Sequence, residues 1–153
     1  MRELNTAQLT LLYDEDCNFC KVIVDALLTW DRAGSLRALA IQSVEGQRLL
    51  APVPAQRRLD SFHLVAPDGS IRSGGPAMSE LFGTLPAAGP LAAAFERLPS
   101  ATSAGYDWVA RNRVAISRFV PGVLKRRADR RLRQRRARSG LSPTRSSECT
   151  GPA

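Results

Sequence analysis

The chain has 153 residues, 44% of them apolar and only 6% aromatic, which suits one globular domain with a core of small and aliphatic side chains and excludes a fibrous protein. Its net charge of +8 is local: residues 1–124 hold 12 basic and 12 acidic side chains, whereas 125–138, KRRADRRLRQRRAR, hold nine basic residues and one acid. No run reaches the roughly 18 to 20 apolar residues of a membrane span, and Met1 to Gln8 is too polar for an export signal, so we expect a soluble cytoplasmic protein.

Leu9 to Tyr13 is a short apolar run without Gly or Pro, as a buried strand should be. From Phe19 the spacing changes: Val22, Ile23, Ala26, Leu27 and Trp30 continue one face of a helix, expected to run from Asn18 to Ala33 and stop at Gly34. Cys17-Asn18-Phe19-Cys20 therefore falls at a strand-to-helix junction, where unpaired N–H groups and the helix dipole favour a thiolate. This makes Cys17 the expected nucleophile and Cys20, one turn on, the thiol that resolves a mixed disulfide. Asp16 is placed to cap the helix. Asp14, at the strand end, is placed to accept a proton from Cys20 during exchange. Two carboxylates beside a thiol oppose the dipole.

Leu36 to Ile41 reads as a second strand, parallel to the first through a right-handed crossover. Val44 to Leu50 makes a short helix that Pro52 and Pro54 end. Ser61 to Val65 and Ser70 to Arg72 form a hairpin about Ala66-Pro67-Asp68-Gly69, completing a four-stranded mixed sheet. The lone His63 tempts as a base, but Phe62, Leu64 and Val65 mark it as a sheet residue.

Ser73-Gly74-Gly75-Pro76 opens a helix from Ala77 to Leu85, and its glycines read equally as a plain loop or as a place of close backbone approach beside the active site. Pro90 to Leu98 gives another helix and Ala101 to Gly105 a small-residue link. A longer helix then starts at Ser103 or Gly105 and carries Tyr106, Val109, Arg113, Ile116 and Val120. Arg111 and Arg113 are read as structural. Pro121-Gly122 divides a domain of residues 1–120 from a basic, largely disordered tail of 121–153. Its residues 125–138 suit either a solvated charged run that aids solubility or weak, nonspecific contact with nucleic acid or an anionic membrane, and Cys149 is a lone thiol within it.

A Cys-x-x-Cys beside a βα unit reads as a thioredoxin-like redox pair, and the fold class is accordingly α/β, with helices flanking the sheet and extra helices at the C-terminal end. Three other readings stay open. A zinc site would need two ligands beyond Cys17 and Cys20, and only His63 and Cys149 remain. Asp14-x-Asp16 after an apolar run also suits a phosphatase nucleophile loop, which requires a lysine and a magnesium-holding acidic pair. The third is a non-enzymatic module that binds through the basic tail, its cysteines vestigial or holding a metal.

Asp14, Cys17 and Cys20 fill the D-x-x-C-x-x-C motif, and further landmarks follow in order: Ile41-Gln42-Ser43 with Glu45-Gly46, Phe62-His63-Leu64-Val65 with Asp68-Gly69, and Tyr106 to Arg113, YDWVARNR. Over Leu9 to Arg113 the chain resembles the DCC family of thiol-disulfide oxidoreductases. The resemblance implies dithiol exchange with a protein or small-molecule disulfide or thiol, with no cofactor beyond the redox-active disulfide. The chain departs from the family pattern at Glu15, commonly glycine, at Asn18, often proline, and at Val114, often aromatic. Thioredoxin itself has a cis-proline before the third strand. Here Arg58-Leu59-Asp60-Ser61 has none, which leaves metal at the thiols less excluded and Asp60 or Ser61 expected to face them.

Overall fold

The computed structural model describes residues 8–138. Strand β1, Leu9–Tyr13, lies in a four-stranded sheet of order β2-β1-β3-β4. Helix α1, Asn18–Trp30, carries the chain over to β2, Leu36–Ala40, which pairs parallel to β1 with Leu9 opposite Leu36 and Tyr13 opposite Ala40. Helix α2, Val44–Leu49, and a 3-10 turn at Ala55–Arg57 lead to the hairpin of β3, His63–Val65, and β4, Ile71–Ser73. β3 is antiparallel to both β1 and β4, so the expected mixed sheet is present.

Alternation along the strands builds two cores. On one face Leu9, Leu11, Tyr13, Leu36 and Leu64 pack with Val24, Leu27 and Leu28 of α1. On the other, Leu12, Leu39, Ile41 and Val65 pack with Leu50, under α2. His63 follows the parity of Val65, so it lies across the sheet from α1. It is 1% exposed; its Nε2 donates to the Arg58 carbonyl at 2.9 Å and its Nδ1 meets the Ser73 hydroxyl at 2.6 Å. Burial pushes its pKa down, and it serves the sheet, as its neighbours in sequence suggest.

α1 ends three residues before the expected Ala33. Asp31 turns the chain out: its N–H closes on Leu27 O, while its carboxylate accepts from the N–H groups of Ser35 and Leu36 at 3.1 and 2.7 Å. Gly34, at φ +70°, belongs to the turn that follows.

Beyond the hairpin, a 3-10 turn at Gly75–Ala77 leads into helix α3, Met78–Gly83. Helix α4 spans Gly89–Arg97 and helix α5 spans Pro99–Phe119. The small-residue link expected at Ala101–Gly105 is therefore the first part of α5. Pro99 occupies its first turn, where no N–H is needed. The small residues there serve contact: a Cβ on Gly75 would lie 2.6 Å from Ser103 Cα, so the paired glycines let the chain approach α5.

Residues 122–138, expected as the start of a disordered tail, form helix α6, Gly122–Arg138, packed against α1. Ala128 and Leu132, one turn apart, are 1% and 4% exposed, and Leu132 joins the core beneath α1. Three ion pairs flank this seam: Lys21 with Asp129 at 3.0 Å, Asp25 with Arg131 at 3.6 Å and Glu15 with Arg136 at 2.6 Å. The apolar pair and the fixed carboxylates opposite it overcome the like-charge repulsion along the helix. Residues 139–153, with Cys149, lie outside the described residues.

Candidate active site

The loop between β1 and α1 is fixed by hydrogen bonds from both neighbouring elements. Asp14 Oδ1 accepts from the Asp16 N–H at 3.0 Å and from Gln42 Nε2 at 2.7 Å. Gln42 Oε1 in turn accepts from the Glu15 N–H at 3.1 Å. One amide at the end of β2 thus holds both residues of the turn. The loop sits at the C-terminal ends of two parallel strands, where open α/β sheets place their sites.

Cys17, not Asp16, caps α1. Its backbone is extended at φ −84°, and its Sγ accepts from the Cys20 N–H at 3.2 Å, while Lys21 N–H closes on its carbonyl at 3.0 Å. Asp16 is exposed and reaches Gln42 Nε2 at 3.4 Å. A sulfur takes the N-cap position because the chain is already turned by Asp14, whose carbonyl accepts the Cys17 N–H at 3.3 Å. Cys17 and Cys20 are joined as a disulfide with Cα atoms 5.2 Å apart. Asp14 is half-buried and, with Cys20 and Ser61, borders a cavity on the α5 side of α1. Of the pair Asp60 and Ser61, only Ser61 lies on this wall.

Arg136 reaches the same loop from α6. It donates to Glu15 Oε1 and, at 2.9 Å, to the Tyr13 hydroxyl. Burial pushes the Tyr13 phenol up, and Arg136 partly offsets it. For Arg136 burial acts downward, but the Glu15 and Tyr13 contacts outweigh it and its pKa rises. Gln42 and Arg136 are the site residues whose roles sequence reasoning passed over. Gln42 had as signals its place in the Ile41-Gln42-Ser43 landmark and its position just after a strand parallel to β1. Arg136 had its place one turn beyond Leu132.

Among the described residues the competing sites are not brought together, and Cys149, the other candidate zinc ligand, lies outside them. His63 is across the sheet from the cysteines, and among the described residues no group of three or more His, Cys, Asp or Glu side chains is placed to hold a metal. Lys21, which a phosphatase loop would need beside Asp14, is paired with Asp129.

A four-stranded mixed sheet with a Cys-x-x-Cys pair at its β1–α1 junction, extended by further C-terminal helices, is a thioredoxin-like α/β domain. The sequence profile of the DCC1-like thiol-disulfide oxidoreductases matches residues 11–119. The chain belongs to that family, and α6 lies beyond the matched part. No curated protein and no solved structure matches the chain significantly. No helix among the described residues is long and apolar enough to cross a membrane.

Proposed function

We propose that the protein is a thiol-disulfide oxidoreductase of the reducing cytoplasm that exchanges electrons through Cys17 and Cys20. A protein or small-molecule disulfide or thiol is its substrate, and the redox-active disulfide is its only redox group. The observation that carries this reading is the Cys17–Cys20 disulfide at the first turn of α1, with Cys17 as the N-cap. In the reduced protein the Cys20 N–H and the helix dipole favour a thiolate on Cys17. That thiolate attacks the substrate disulfide; Cys20 then attacks Cys17 Sγ and releases the reduced product. Asp14 takes the proton that Cys20 loses, and Gln42 holds the carboxylate in place for it.

The test is to equilibrate Cys149→Ser protein in graded thiol redox buffers, trap free thiols by alkylation and count modified Cys17 and Cys20 by mass spectrometry. Both thiols are expected to disappear together in one two-electron transition. A midpoint near about −270 mV marks a reductant and one near about −120 mV an oxidant. Cys17→Ser abolishes exchange. Thiols that never pair would end this reading.

The outward arginines of α6, Arg126, Arg127, Arg130, Arg133 and Arg138, support a second, weaker property. Residues 125–138 provide nonspecific attraction for nucleic acid or an anionic membrane, checked by steep loss of binding with salt. Deleting the helix is no test, because Leu132 belongs to the core.

A further inference from the structure

Cys20 borders a cavity of about 510 Å³ that lies between α1, the sheet and helices α3, α4 and α5, within the size range of small-molecule sites. Aromatic side chains concentrate there. The chain has five phenylalanines and two tyrosines, and four of the former, Phe19, Phe62, Phe82 and Phe95, line the cavity with both tyrosines. Phe62 meets Tyr106 edge to face at 5.4 Å, and Phe82 meets Phe95 at 5.2 Å. Such walls favour a ring that presents its own edge or face.

The edge that would receive an extended polypeptide is meanwhile partly occupied. Strand addition needs free backbone N–H and C=O groups. Before β3, the carbonyl of Arg58 accepts from His63, that of Leu59 accepts from Arg113 at 3.2 Å, and that of Phe62 accepts from the Gly74 N–H at 3.1 Å. The Phe62 N–H donates to the Tyr106 hydroxyl at 3.1 Å, and the Asp60 N–H donates to Arg57 O. A peptide is therefore offered the backbone of Ser61 and little else along this edge, whereas a small molecule is offered an aromatic chamber.

We propose that the cavity is the substrate site and that the substrate is a small aromatic disulfide rather than an extended polypeptide. This rests on the thiol-disulfide reading and deepens it. The Cys17 thiolate attacks one sulfur of the seated disulfide RSSR, forming Cys17–S–S–R and expelling RS⁻. Cys20 then gives up its proton and attacks Cys17 Sγ, which closes the protein disulfide and expels the second RS⁻. Two electrons pass from the dithiol to the substrate, and the two protons end on the two RSH products. A low-molecular-weight thiol returns the protein to its dithiol form by the same exchange in reverse.

The experiment follows single-turnover oxidation of the reduced Cys149→Ser chain by dibenzyl disulfide, by cystine and by a disulfide-linked extended peptide. Each rate is divided by that of dithiothreitol with the same disulfide, which removes intrinsic reactivity. Dibenzyl disulfide is expected to lead by about tenfold or more. In Ala110→Phe, which puts a ring into the cavity, that lead shrinks about tenfold. In the unaltered cavity 1,4-diphenylbutane, with methylenes in place of the sulfurs, competes with dibenzyl disulfide. Equal normalised rates for all three disulfides, or no competition, would overturn the proposal and leave the oxidoreductase standing. Failure of all three to oxidise the pair would overturn both.

Discussion

Helix α1 is held in opposite ways on its two flanks. Toward α6, Ala128 and Leu132 are buried against it, and three ion pairs close the seam from Glu15 to Asp25. Toward α5, Phe19, Ile23 and Leu27 look across a cavity to Tyr106 and Val109. One flank fixes the helix that carries the cysteines, and the other leaves room beside them. The difference teaches where this domain has spent its packing: rigidity is supplied from outside the family-matched part of the chain, and space is kept within it.

The largest expected effect comes from loosening the packed flank. Leu132→Ala leaves a hole in the core under α1 and costs about 2–4 kcal/mol, read from urea unfolding. Val109→Ala, at the wall of an existing cavity, costs about 1 kcal/mol or less, since it removes apolar contact without creating a new void. Equal losses at the two positions would erase the contrast between the flanks.

The same contrast explains what the sequence could disclose. The strands and the cysteine junction were legible because Leu9 to Tyr13 and Leu36 to Ile41 are apolar runs, and because Phe19 starts a helical spacing beside them. His63 was readable from its apolar neighbours. The docking of α6 was hidden by composition: nine basic residues dominate the segment, while the two that bury it, Ala128 and Leu132, are an i,i+4 pair visible only when the face is isolated. The start of α5 was hidden for the opposite reason, since small residues through Gly105 imitate a linker while serving as a close contact for Gly75. The cavity has no local signal, because its aromatic walls come from positions between Tyr13 and Tyr106.

A smaller effect, on chemistry as well as stability, comes from cutting the tie between α6 and the loop. Arg136→Gln strips Glu15 of its cation and Tyr13 of a donor, and costs about 1 kcal/mol of stability. The carboxylate two residues before Cys17 then acts unopposed on the thiolate. Alkylation of reduced Cys17 by iodoacetamide at neutral pH slows, by about twofold to threefold, and the reduction potential falls because the thiolate is less stabilised. Adding Glu15→Gln restores the alkylation rate if the charge is the cause. A rate that stays low in the double variant would assign the effect to a displaced loop.

The smallest effect is the pH dependence of the seam. Asp129 is held below the usual carboxylate range, first by the hydrogen bond from Lys21 and then by its contact with Arg133. A carboxyl whose pKa is lower folded than unfolded stabilises the fold fully above its unfolded value, about 4, and loses that contribution as pH falls through the folded one. Its side chain is 32% exposed, so solvent screening keeps the contribution below about 1 kcal/mol. Urea unfolding of the parent chain and of Asp129→Asn at pH 7, 4 and 2.5 gives the check. The parent is expected to be the more stable at pH 7, with the gap narrowing at pH 4 and further at pH 2.5. A gap unchanged at the lowest pH would mean that Asp129 acts through packing, and that the ionic part of the α6 seam contributes nothing to holding α1.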